Sequence, residues 1–318
     1  MVTADDSVSA SLRSDGLAGA FELPFAKLHG AGNGYVVLDG RDLNADWQSI
    51  APRITDPNFG VGSDGLAVVE SSDAAAVRMR IFNSDGSEAE MSGNGIRLFA
   101  KFVLDRGLAS LDEGSLLVET GGGLRRVFPM PATPTTGPMT AASVAMDEPR
   151  FELAALPADP RLAGGADRLI DFELEVAGQP VVFTALSLGN PHAVIRIDHD
   201  PADYPLARIA PEIQAHPLFP QRINVEVVQV LGRDRLRARV YERGEGETLA
   251  SGTGATACAV TARFHQQTDA AVAVELPGGV LHVEWPGPGE SAWLNGPAVE
   301  VFEGIWREPA GGSSREHE

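Results

Sequence analysis

Apolar residues come in two rhythms along this chain, and the rhythms repeat. FAKLHGAGNGYVVLD (25–39) has two strand-like apolar ends around a Gly-rich turn, and RMRIFN (78–83) reads as another strand. After the loop SDGSEAEMSGNG, the run IRLFAKFVLDRG is apolar at 96, 98, 99, 102, 103 and 104, which predicts a helix stopped by Gly107. SLLVET returns to strand spacing. Residues 129–149 are rich in Pro, Thr and small side chains and read as the crossing into a second unit. That unit has strands in PVVFTALSL, AVIRID, INVEVVQV and RLRARVYE, a Gly-rich loop, and a helix-like GATACAVTARFH. Late strands follow in AVAVELPG, VLHVEWPG and AWLNGPAVEVFEG.

Each predicted helix is entered through the same tetrad, Ser92-Gly-Asn-Gly and Ser251-Gly-Thr-Gly, after an acidic, Gly-containing approach. The pattern predicts an α+β fold of two pseudo-symmetric halves, each a strand roll around a central helix. The expected division is a disordered leader at 1–20, an N-terminal half at 21–140 joined by a late strand near 293–306, a C-terminal half at 141–292, and a disordered tail at 307–318. A site would fall in the cleft between halves, with helices beginning near Asn94 and Gly254 aimed at one ligand.

A helix N-terminus leaves N–H groups unpaired and carries partial positive charge. Two facing termini make a carboxylate or phosphate site, and Gly93, Gly95, Gly252 and Gly254 let a ligand approach the backbone. Ser92 and Ser251 suit the capping positions, and capping alone is a sufficient reason for a serine there.

Composition narrows the field. With 25 basic and 44 acidic residues the net charge is −19, which argues against nucleic acid or an anionic membrane as partner. An anionic substrate must therefore be met by local donors. No apolar run reaches the roughly 18 residues a membrane helix needs, and no secretory signal is visible, so a cytoplasmic location is expected. Cys258, the one cysteine, excludes an internal disulfide and any cysteine-rich metal site, and a buried, inert thiol is expected there.

Six segments in order resemble the diaminopimelate epimerase family, from about Phe25 to Ile305. They are FAKLHGAGNGYVVLDG, GVGSDGL, RIFNSDGSEAEMSGNGIR, LGNPH, RINVEVVQV and, last, ERGEGETLASGTGA. The resemblance implies two similar halves and epimerisation of LL- to meso-diaminopimelate with no cofactor and no metal. It implies catalytic groups at positions 92 and 251 and substrate contacts from Asn33, Asn83, Asn190, Asn224, Glu242 and Arg243. Backbone N–H groups of Gly93, Asn94, Gly252 and Thr253 would hold the reacting carboxylate. The implied partner is a small diamino diacid, and a homodimer is compatible with the pattern.

Family members carry cysteine where this chain has Ser92 and Ser251. One thiolate takes the α-proton and the other thiol returns one on the opposite face. A serine hydroxyl lies about 5 pKa units above a thiol, about 7 kcal/mol, whereas helix termini contribute about 0.3–2 kcal/mol. A third group could rescue one serine, as an adjacent base does in hydrolases, and His29, Asp64 and His192 lie in matched segments. Gly34, Tyr35 and Gly65 are further departures near the expected pocket. Four readings stay open: an epimerase with assisted serines, a related isomerase or lyase with one-sided proton chemistry, a non-catalytic binding protein, or an engineered pair of Cys→Ser changes.

Overall fold

Ala31 (φ 52°) and Gly32 (φ 85°) both adopt the left-handed backbone that a two-residue hairpin needs, so the first two strands fold directly against each other. The computed structural model of the chain describes residues 22–130 and 137–307; the leader expected at 1–20 and nearly all of the tail expected from 307 lie outside them. The first set of elements is β1 (Glu22–Gly30), β2 (Asn33–Asp39), α1 (Trp47–Thr55), β3 (Gly65–Glu70), β4 (Val77–Asn83), β5 (Glu88–Ala89), α2 (Gly93–Asp105), β6 (Leu116–Thr120), β7 (Gly123–Met130) and β8 (Ala141–Ala145). The second is β9 (Phe172–Val176), β10 (Gln179–Ser187), β11 (Pro191–Ile197), α3 (Leu206–Ala215), β12 (Asn224–Gly232), β13 (Arg235–Glu242), β14 (Gly246–Thr248), α4 (Gly252–Phe264), β15 (Ala271–Leu276), β16 (Gly279–Glu284), β17 (Trp293–Pro297) and β18 (Val299–Arg307).

Strand pairing makes the repeat explicit. In the first set β1–β2 is antiparallel, β2–β3 parallel, β3–β4 antiparallel, β4–β6 parallel, and β6–β7–β8 antiparallel. The second set runs β10–β11, β11–β12, β12–β13, β13–β15 and β15–β16–β17 in the same senses. The outer strands correspond as well, β18 on β1 and β9 on β10. Two antiparallel edges, β8 and β17, close on each other, with Val144 directly opposite Leu294.

The fold is therefore the sheet-rich α+β class with two pseudo-symmetric halves. Both central helices are buried on nearly every side, α2 through Ile96, Leu98, Phe99, Phe102 and Val103 and α4 through Ala255, Ala257, Cys258 and Val260. Inner strands have apolar residues on both faces: Val37 packs inward toward α2, while Val36 and Leu38 pack outward with Trp47, Ile50 and Ile54 of α1. Burial on both faces explains the near-continuous apolar text of the parallel strands.

Two expectations need correction. The stretch 129–149 is not all crossing, because it ends β7 and holds all of β8, whose ladder to β17 needs backbone rather than large side chains. Each half also has a second helix, α1 or α3, shielding the outer sheet face. Among the described residues no helix is long and apolar enough to cross a membrane.

Candidate active site

Ser92 and Ser251 precede α2 and α4 in almost the same extended conformation, φ −136°, ψ 122° and φ −131°, ψ 128°. Each hydroxyl accepts a bond from the amide three residues on, Gly95 N at 3.0 Å and Gly254 N at 3.2 Å. Both serines are thus helix caps, as the capping argument expects. The helices start at Gly93 and Gly252, slightly earlier than Asn94 and Gly254, and the two N-termini abut. A Cβ on Gly252 would lie 3.4 Å from Asn94 N, close enough to put the two termini in contact, and 2.8 Å from the end of the Leu294 side chain.

The termini open into a cavity of 140 Å³. Asn33, Asn83, Ser92, Gly93, Asn94, Asn190, Glu242, Ser251, Gly252 and Thr253 line it, joined by Tyr35, Asp64, Glu245 and Thr248. A wider hollow of 560 Å³ beside Phe25 and Ile305 holds none of the residues singled out in the sequence. Asn224 and Arg243 lie outside the cavity lining. Buried Asn224 clamps two loops, donating to Pro191 O at 3.0 Å and accepting from Arg243 N at 2.8 Å. The exposed Arg243 guanidinium donates to Gln221 O at 3.1 Å.

Partners of the two hydroxyls differ. Ser251 Oγ donates to Glu242 Oε2 at 3.0 Å, and Thr248 donates to Glu242 Oε1 at 2.7 Å. Burial raises the Glu242 carboxyl above its ordinary range, against the lowering effect of these two bonds. Ser92 Oγ instead accepts from the Tyr35 hydroxyl at 3.3 Å. Burial pushes the Tyr35 phenol well above its usual range.

Strand register makes these differences one-for-one replacements. Tyr35 faces Gly65 across β2–β3 where His192 faces Asn224 across β11–β12. Asn83 and Glu242 close β4 and β13 one residue beyond the equivalent pairs Leu66–Phe82 and Val225–Tyr241. Of the three assistants suggested by sequence, none bonds a serine. His192 is fully buried between Glu226 Oε1 (2.7 Å) and Asn190 Oδ1 (2.9 Å). Asp64 holds Asn33 Nδ2 and Gly34 N at 3.0 and 2.6 Å, and His29 Nδ1 takes Gly32 N at 3.4 Å. Glu226 is raised by burial, and its Oε2 has no partner among the described residues.

Sequence reasoning missed Glu245, Thr248 and Arg97. The acidic text ERGEGET was a signal for the first two, since the β13–β14 hairpin folds Thr248 back over Glu242. Arg97 is fully buried, donating to Gly93 O (2.7 Å) and Asn94 Oδ1 (2.6 Å), and burial lowers its guanidinium to about 10. Among the described residues no carboxylate pairs with it. Asn94 in turn donates to Asn33 Oδ1 at 2.7 Å. The cavity therefore offers free N–H groups backed by a buried cation on one side and carboxylates on the other. That division suits an amino-acid zwitterion. Cys258, fully buried and with its thiol pushed up by burial, takes no part.

Residues 25–140 and 184–301 match the sequence model of the diaminopimelate epimerase family. A diaminopimelate epimerase from Heliobacterium modesticaldum is 41% identical over 286 residues, covering 89% of this chain and 99% of its own. Another, from Pseudomonas entomophila, is 44% identical over 286 residues, with coverage of 89% and 98%. A solved hydroxyproline epimerase from Agrobacterium vitis superposes with a TM-score of 0.67 at 14% identity, over 92% of this chain and 94% of that one. A phenazine biosynthesis protein of the PhzF family from Bacillus anthracis gives 0.64 at 18%, over 90% and 99%. At those identities the two structures share the fold alone. With most of the chain matched, at 40% identity or above, this protein belongs to the diaminopimelate epimerase family.

Proposed function

We propose that the chain epimerises diaminopimelate, interconverting the LL and meso forms by moving one α-proton without metal or pyridoxal phosphate. Two facing helix N-termini, each capped by a hydroxyl from an equivalent position, carry this reading. The reacting carboxylate docks on the N–H groups of Gly93, Asn94, Gly252 and Thr253, where helix charge and Arg97 favour an anion. Asn33, Asn83 and Asn190 supply amide groups to the substrate's ammonium groups, and Arg243 is the cation for the far carboxylate, with Asn224 holding its backbone.

Serine stands in this reading where the family resemblance has cysteine. Ser251 acts as base through Glu242: as Ser251 takes the α-proton, its own proton passes to the carboxylate 3.0 Å away, and no free alkoxide accumulates. Glu242 so answers the pKa gap that a bare serine cannot close. Ser92 stands as the acid on the opposite face.

Incubation with LL-diaminopimelate in D₂O tests the proposal. Deuterium should enter the α-position as the meso form appears. Tight binding with no exchange would make the chain a binding protein, and exchange with no inversion would make its chemistry one-sided.

A further inference from the structure

We propose that Tyr35 is the proton source behind Ser92, relaying its hydroxyl proton through the serine to the face of the carbon opposite Ser251. The proposal rests on the epimerase reading above and assigns a direction to it. Ser92 Oγ accepts two bonds, from Gly95 N–H at 3.0 Å and Tyr35 O–H at 3.3 Å, and its own proton has no acceptor among the described residues. That proton is therefore available to the cavity, which both side chains line. Ser251 is arranged the other way. Its proton is committed to Glu242, one lone pair takes Gly254 N–H, and the other faces Thr253 Oγ1 in a long 3.4 Å contact that a ligand must displace for Ser251 to act as acceptor. With that contact displaced, the site has an acceptor on one side and a donor on the other.

Tyr35 is held for this task. The residue is 8% exposed, and a Cβ at Gly65 would fall 2.6 Å from Tyr35 Cε1, so the ring occupies the space a side chain would fill. The equivalent position in the second half is His192, whose two ring nitrogens are taken by Glu226 and Asn190. Hence each half supplies one proton-active partner to its serine from a different strand, Tyr35 from β2 and Glu242 from β13. At 3.3 Å the phenol bond is long for a hydroxyl pair, as catalytic bonds often are before substrate arrives.

The proton count closes. The Cα–H bond breaks, its proton goes to Ser251 Oγ, and the Ser251 proton goes to Glu242. The electron pair left on carbon takes the Ser92 proton, and the Tyr35 proton replaces it, leaving a phenolate. Solvent then removes one proton from Glu242 and returns one to Tyr35, so nothing is consumed. The reverse reaction starts only after solvent has taken the Tyr35 proton and protonated Glu242, a step that burial of the phenol disfavours, and then runs from the phenolate through Ser92.

The test is Tyr35→Phe, which keeps the ring and deletes only the hydroxyl. LL- and meso-diaminopimelate present opposite faces of the reacting carbon. In D₂O the variant should still wash out the α-proton of the isomer facing Ser251, now with retention, while exchange of the other isomer and all inversion fall roughly 100-fold. Adding Ser92→Cys should restore inversion, because a thiol near pKa 8.5 needs no phenol behind it. Unchanged inversion, or an equal loss for both isomers that the thiol does not rescue, overturns the relay. Wild-type protein that exchanges neither isomer overturns the epimerase reading itself, so the two failures are told apart by the unmutated chain.

Discussion

Arg97 and Thr256 stand at equivalent points of α2 and α4, and each side chain donates to the carbonyl four residues back, at 2.7 Å to Gly93 O and 2.8 Å to Gly252 O. One half thus puts a full positive charge behind its helix terminus where the other puts a hydroxyl. Because Arg97 is buried and no carboxylate among the described residues pairs with it, an anion bound at this helix terminus would be its counter-charge. Arg97→Met should weaken diaminopimelate binding about tenfold, about 1.4 kcal/mol by calorimetry, with little loss of thermal stability. A large drop in Tm with affinity intact would show that the charge serves the fold alone.

Glu242 must be ionised to receive a proton, and burial raises its carboxyl. The acid limb of kcat/KM should therefore fall at a pH above the ordinary carboxylate value of about 4.5, activity being lost as pH drops through the raised pKa. Glu242→Gln should lower exchange from Ser251's face roughly 100- to 10,000-fold. Ser251→Cys in the same chain should recover much of it.

Gly65→Ala would put a Cβ 2.6 Å from the Tyr35 ring and 2.8 Å from Phe82 O. The carbonyl cannot move aside as a side chain can, so stability should fall by about 1–3 kcal/mol in a denaturant titration. Inversion should fall with it, in the isomer-selective manner of Tyr35→Phe, because the ring is displaced from Ser92.

Glu226 is a buried carboxyl whose pKa is raised in the folded state. The folded chain then holds more protons than the unfolded one between about 4.5 and that raised value, so its contribution to stability is present at low pH and lost as pH rises. Glu226→Gln removes the titration while keeping a group that can bond His192. The variant should melt a few degrees higher at neutral pH, and its advantage should vanish below about pH 4.5. A gap in Tm independent of pH would sink this account.

The doubled Ser-Gly-X-Gly marked both helix caps and the glycine end of the cavity, because caps and glycines act locally, whereas Asn33, Asn83, Asn190 and Glu242 were legible only through the family resemblance. Arg97 escaped for a different reason. Apolar positions at 96, 98, 99, 102, 103 and 104 leave 97 and 101 on what looks like a wet face, yet the sheet wraps that face too, and both Arg97 and Lys101 are buried. Pairing of β8 with β17 joins residues about 150 apart, and no local pattern encodes it. The link from Ser251 to Glu242 needs the β13–β14 hairpin to bring strand end and cap together, and text spacing alone cannot measure that.

The closure of β8 on β17 has a consequence for how such a site can be built. Val144 pairs with Val127 and Leu294 with Val283 at matching places in the two sets, and Val144 and Leu294 then pair with each other. That is the self-complementary contact by which two identical subunits join across a twofold axis. A true homodimer assembled this way would have to show the same side chain to both sides of a bound carbon. A single chain carrying both copies escapes that obligation. Tyr35 can stand against His192, and arginine against threonine, so each side of one carbon atom meets a different chemistry.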